Sequence, residues 1–177
     1  MKWKNIDCGP SYYYITATFT EWLPLFRHKE ILDIVCEEIS RAVTEFGGHI
    51  SAYVFMPDHL HILMYLPGAG QLHRFCKLWR GRSARRISAF LEGQGCSDLL
   101  RRMASHASGG AKVAVWKEQV RALAIQTESK LREKADYIHA NPVRRGLVTH
   151  PSDWRFSSWL FYEGDGRSLL PIRPWGP

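Results

Sequence analysis

The chain lacks any apolar run long enough to cross a bilayer, which excludes a helical membrane span. Its first residues, Met1-Lys2-Trp3-Lys4-Asn5-Ile6-Asp7, contain no apolar segment of the kind that directs secretion, so a cytoplasmic protein with no membrane contact is expected. Cysteine is scarce. Cys8, Cys36, Cys76 and Cys96 never come within four residues of one another, which excludes a zinc-knuckle pair and fits a reducing compartment. Acid is also short, with 17 Asp and Glu against 24 Lys and Arg and a formal charge of +7. Such a surplus favours polyanionic partners, nucleic acid first, although a basic surface that merely aids solubility has the same composition. No repeat and no second composition block is present. The expectation is one domain over 1–177, with a core of about 12–162 and a tail of 163–177.

What is present reads as alternating strands and helices. Tyr12 to Thr20, rich in aromatic and β-branched residues, is expected to be the first strand. A helix follows from about His28 to Phe46, with Ile31, Ile34, Val35, Ile39, Ala42 and Val43 at three- and four-residue spacing, closed by Gly47-Gly48. Ile50–Phe55, the turn Met56-Pro57-Asp58 and His59–Leu66 make a β-hairpin. The helix from about Gln71 to Leu91 has one apolar side and one basic side. The basic side carries Arg74, Lys77, Arg80, Arg82, Arg85 and Arg86 with almost no acid to balance them. A solvated face and a phosphate-contacting face are both consistent with it. Residues 92–112 are Gly- and Ser-rich and are expected to form a long loop, with a helical turn at Leu99–Met103. Lys112–Trp116 is expected as a strand with Val120–Ile125 as its partner. Thr127 then caps a helix that Asn141-Pro142 should end. The order β-α-β-β-α-β-(β)-α gives an α+β, ferredoxin-like split βαβ fold, an antiparallel sheet with helices on one face.

The chemistry concentrates in two short stretches. His59 and His61 sit two apart in a strand, so both imidazoles share one face and form half of a metal site. Alone, a His-x-His pair is more often simply exposed or bonded to neighbours. The second stretch is Asp136-Tyr137-Ile138-His139-Ala140-Asn141, where Tyr137 and Asn141 lie four apart on one helical face. If that helix packs near the histidines, the Asn141 amide oxygen completes a site for Mg²⁺ or Mn²⁺. Tyr137 then lies beside it as a candidate nucleophile. His139, two residues from Tyr137, should point away, and Asp58 reads as a turn residue.

These residues together resemble a known family. Met56-Pro57-Asp58-His59-Leu60-His61 and Asp136-Tyr137-Ile138-His139-Ala140-Asn141-Pro142-Val143 with Gly146-Leu147-Val148 are similar to the signature of single-tyrosine HUH transposases of small insertion sequences. The closer likeness is to REP-associated tyrosine transposases. Tyr14 with Thr16, Trp116-Lys117-Glu118 and Asp153–Ser158 are weaker matches. The resemblance implies an enzyme that cuts and rejoins single-stranded DNA beside a hairpin, such as a REP hairpin. It implies a 5′-phosphotyrosine at Tyr137, metal ligation by His59, His61 and Asn141, and a DNA grip by the arginine helix and Trp79. It also implies a monomer or a homodimer, with monomer favoured. Two other readings compete: a non-cleaving hairpin DNA-binding protein derived from a transposase, and a metal-dependent phosphoester hydrolase, which leaves Tyr137 without a role.

Overall fold

The structure, a computed structural model, describes residues 9–110, 112–164 and 166–175; Cys8 lies outside them. Strand β1 (Ser11–Thr18) buries Tyr13, Ile15 and Ala17 on one side and turns Tyr12, Tyr14, Thr16 and Thr18 to the other. It runs antiparallel to β3 (His59–Leu66), with Thr16 opposite His61 and Thr18 opposite His59. Strand β2 (His49–Phe55) pairs with β3, and β4 (Arg121–Ile125) pairs with β1. The sheet order is β2-β3-β1-β4, all antiparallel, as the split βαβ plan requires.

Helices α1 (Lys29–Glu45) and α2 (Gln71–Gly93) cover one face of the sheet. Ile31, Val35 and Ile39 of α1 and Phe75, Trp79 and Ile87 of α2 pack there with Tyr13, Ile15, Tyr53, Phe55, Leu60 and Ile62. The turn from α1 into β2 leaves no room for a side chain. A Cβ on Gly48 would stand 2.5 Å from the Tyr65 carbonyl oxygen.

Not every helix lies on that face, contrary to expectation. Helix α4 (Glu128–Arg144) packs Leu131, Ala135 and Ile138 against Ala52, Val54, Met56, Leu63 and Ile125 on the opposite side. Its apolar stripe is one residue wide per turn and needs only the small apolar patch that β2 and β3 expose there. The helix is also longer than expected, running through Pro142 to Arg144. Pro142 removes one N–H from the ladder, but bonds from Arg145 N–H to Asn141 O (3.0 Å) and Leu147 N–H to Pro142 O (2.9 Å) close the last turn.

Two further expectations are corrected. The 92–112 stretch contains a helix, α3 (Ser97–Ala104), whose Met103 is fully buried and whose Leu99 and Leu100 pack against the main core. Residues 112–116 are not a strand and do not pair with β4. Trp116 alone bridges to Phe19 and stacks on its ring at 4.2 Å, while β4 takes the edge of β1. Along the outer edge of β2 run two tail segments, with Ser158 N–H to Tyr53 O at 3.0 Å and Arg173 N–H to Ile50 O at 2.8 Å. The described part of the tail thus docks through Leu170 and Ile172. Among the described residues, no helix is long and apolar enough to cross a membrane.

The basic side of α2 is in part a seam between helices. Arg82 pairs with Glu45 at 2.5 Å, and Arg86 with Glu37 and Glu38 at 2.7 and 2.9 Å. Arg80 donates to the carbonyls of Lys117 and Glu118. The acid that balances these cations comes from α1, which sequence spacing alone could not place beside them. Arg74, Lys77 and Arg85 stay exposed, Arg74 over the Phe46 ring. Trp79, expected to stack on DNA, has no exposed surface and sits edge-on to Trp116 in the core.

Candidate active site and metal centre

His59, His61, Tyr137 and Asn141 line one cavity of about 750 Å³ on the α4 side of the sheet. Strand alternation supplies the histidines. With Leu60 and Ile62 committed to the main core, His59 and His61 must face the other way. Their rings meet edge-on at 4.8 Å between centroids. The four-residue step from Tyr137 to Asn141 puts both on the inward face of α4. The Tyr137 ring stands edge-on to His61 at 5.7 Å and to Tyr14 at 6.1 Å. Asn141 is 4% exposed, and its amide makes no side-chain hydrogen bond among the described residues.

Each imidazole is held through Nδ1. Asp58 Oδ1 lies 2.6 Å from His59 Nδ1. A carboxylate only accepts, so His59 Nδ1 carries a proton and Nε2 is the nitrogen left for any other partner. Burial works against it, but the His59 hydrogen bond, with the charges of His59 and Arg145, holds the Asp58 carboxyl below its usual range. His61 Nδ1 lies 2.8 Å from both the Tyr14 hydroxyl and Thr16 Oγ1, each of which can donate to or accept from the ring nitrogen according to its tautomer. Burial, assisted by the neighbouring His59, pushes the His61 pKa down to about 3, so the ring is neutral at pH 7. Burial likewise raises the Tyr14 hydroxyl, which stays protonated.

This donor set fits a hard or borderline divalent cation: two imidazoles side by side on one strand face and the Asn141 amide on the wall of the same cavity. Among the described residues no three His, Cys, Asp or Glu side chains cluster. His139 does point away. It is buried under the tail, 2.8 Å from Ser158 Oγ, with its pKa lowered to about 4 by burial.

Sequence reading missed several residues that the fold brings here. Asp58 is more than a turn residue, since it fixes the His59 tautomer. Lys117, Arg121, Lys134 and Arg145 line the cavity, and Arg144 lies 5.4 Å from the Tyr137 ring centroid. Lys134, Tyr137, Asn141 and Arg145 follow each other at three, four and four residues along one helical face. That stripe was readable, but ending the helix at Pro142 hid its last member.

A family model described as "Transposase IS200 like" matches residues 12–141. This chain belongs to the IS200-like transposase family. It is 29% identical to the REP-associated tyrosine transposase of Escherichia coli (strain K12) over 123 residues, 70% of this chain and 60% of the relative. Over 128 residues it is 27% identical to a protein of Haemophilus influenzae (strain ATCC 51907 / DSM 11121 / KW20 / Rd) named for the same group, covering 71% of this chain and 65% of the other. The chain thus spans just under two thirds of the length of these curated relatives. A solved structure of a REP-associated tyrosine transposase bound to a REP hairpin superposes with a TM-score of 0.70. That alignment covers 100% of this chain and 92% of the other at 20% identity, which shows a shared fold.

Proposed function

We propose that this IS200-like transposase nicks and rejoins single-stranded DNA beside a hairpin, with Tyr137 as nucleophile. His59, His61 and Asn141 would hold one divalent cation, Mg²⁺ or Mn²⁺. The observation that carries the reading is the shared cavity: Tyr137 stands edge-on to His61, and Asn141 lines the same cavity. Such a cation supplies Lewis-acid polarisation of a phosphoryl oxygen.

The chain's own residues do the rest. The Tyr137 hydroxyl attacks phosphorus, and a new P–O bond forms to the phenolic oxygen. The bond to the 3′-oxygen breaks. The phenol gives up its proton to solvent and the departing oxygen gains one, leaving a 5′-phosphotyrosine and a free 3′-OH. Reversal by an incoming 3′-OH rejoins strands. Lys117, Arg121, Lys134 and Arg145 supply positive charge where the phosphodiester must lie. Because Nδ1 of each histidine is engaged, neither ring is free to turn. On the far side of the sheet, exposed Arg74, Lys77 and Arg85 are our candidates for contacting hairpin phosphates. Arg80, Arg82 and Arg86, already engaged within the fold, would contribute through the residual field of their charges.

The test is incubation with labelled single-stranded hairpin DNA and Mg²⁺ or Mn²⁺. A protein–DNA adduct that resists denaturation and disappears in Tyr137→Phe is expected. Hairpin binding with no adduct under either metal would leave a non-cleaving hairpin binder instead. Cleavage that persists in Tyr137→Phe would overturn the tyrosine mechanism.

A further inference from the structure

Glu21 and Trp22, with φ of 52° and 53°, are the non-glycine residues at positive φ among the described residues. Side chains rarely adopt this conformation, and it persists where the surroundings enforce it. Here they do. Trp22 N–H donates to Phe19 O at 3.1 Å, and Thr20 N–H to Val115 O at 3.0 Å. The Glu21 carboxylate is gripped from α3 and the residues after it. Arg102 donates through Nε and Nη2 at 3.1 and 2.6 Å, and His106 Nε2 lies at 2.7 Å.

This braced turn holds out an indole. Trp22 is 62% exposed, the highest value among the exposed large hydrophobic residues, and it lines the cavity with His59, His61 and Tyr137. Its ring makes no aromatic contact among the described residues. Its close neighbour is the Lys117 ammonium, which lies over the ring. Lys117 is itself fixed, with its N–H on Thr18 O at 2.9 Å and its carbonyl held by Arg80. A cation beside an open indole, on the rim of a cationic cavity, suits a strand that alternates phosphates and bases.

We propose that Trp22 is a stacking platform for a nucleobase of the strand in the cavity, and that α3 braces the turn that presents it. The proposal rests on the reading of that cavity as a single-stranded DNA site. It gives the 92–112 segment a positioning role that composition did not disclose.

Fluorescence anisotropy with a labelled oligothymidylate of about 15 nucleotides, and with an abasic strand of the same length, tests it. Trp22→Ala should weaken oligothymidylate binding by about 5- to 100-fold, the range for losing one base–aromatic stack. Trp22→Phe should recover most of that loss, and the abasic strand should bind all three proteins alike. Arg102→Ala should reproduce part of the Trp22→Ala loss, again on oligothymidylate alone. Equal losses on both strands, no loss on either, or a wild-type protein that binds neither would overturn the proposal. The two readings fail separately. An adduct with wild-type oligothymidylate affinity in Trp22→Ala sinks the stack and keeps the nuclease. A base-dependent loss without any adduct keeps the stack and sinks the nuclease.

Discussion

Along β3, Leu60, Ile62, Met64 and Leu66 point to α1 and α2, while His59, His61 and Tyr65 point to the side of α4. The same strands thus build two unlike surfaces. The first is a sealed apolar layer roofed by two helices, with Tyr13, Tyr53, Phe55, Phe75 and Trp79 fully or almost fully buried. The second carries one helix, a smaller apolar patch and a polar cavity where Tyr137 is 36% exposed. Strand periodicity lets the fold keep its stability on one side and its reactive groups on the other, so that a change on one side need not disturb the other.

The sharpest way to break that division is Trp79→Ala, which empties the centre of the sealed face. It should cost about 3–5 kcal/mol in urea unfolding. Tyr137→Phe on the other face should move the same measurement by less than about 0.5 kcal/mol. A comparable loss in both would mean that the faces are not separable.

Acid probes the α4 side. His139 is held at about 4 against an ordinary 6.5, so below pH 6.5 the unfolded chain takes up a proton that the folded chain declines. Its contribution is fully present above pH 6.5, falls as pH drops to about 4, and then levels off, for a total on the order of 3 kcal/mol. His61 adds to this in metal-free protein, since it too is held low, at about 3. Unfolding at pH 7, 5 and 4 should show a shallower decline in His139→Gln than in the wild type; parallel curves would count against a buried neutral His139.

Within the cavity, Asp58→Asn replaces an obligate acceptor with an amide and frees the His59 tautomer. Mn²⁺ binding measured by calorimetry should weaken by roughly 10- to 100-fold with little change in unfolding. An unchanged affinity would remove Asp58 from the metal site's support. At the start of α4, Thr127 Oγ1 accepts from Lys130 N–H at 3.3 Å, and Thr127→Ala should cost about 1 kcal/mol. Smallest of all, Glu45→Gln opens the exposed pair with Arg82 and should barely move the unfolding midpoint, less again in high salt.

How much of this could be read beforehand followed the range of the forces involved. The bounds of the histidine strand, the hairpin and the Thr127 cap are set within a few residues of chain, and they came out as expected. His59, His61, Tyr137 and Asn141 line one cavity, because two periodicities and a fold plan suffice to bring them together. What was missed depends on distant partners. Arg82 and Arg86 look like a free cationic face until α1 places Glu37, Glu38 and Glu45 against them. Met103 looks like the end of a single helical turn within a loop until the main core receives it. Trp79 looks like a DNA-stacking residue because the interleaving of apolar and basic positions on α2 does not say which side is roofed. Pro142 was read as a stop, although the turn after it closes by other bonds and carries Arg145 into the site.

The tail on the outer edge of β2 has a bearing on solubility. An uncovered edge strand offers a row of N–H and C=O groups to any other chain, and β2 is buried at every residue but His49. Ser157, Ser158, Ile172 and Arg173 occupy that row. A chain ending at Tyr162 would keep every cavity residue yet leave the Ile50 end of the edge bare. It should clump with time at concentrations where the whole chain stays dispersed. Ser157, Ser158, Ile172 and Arg173 thus stand, like a selvedge, where another copy of the sheet would otherwise pair.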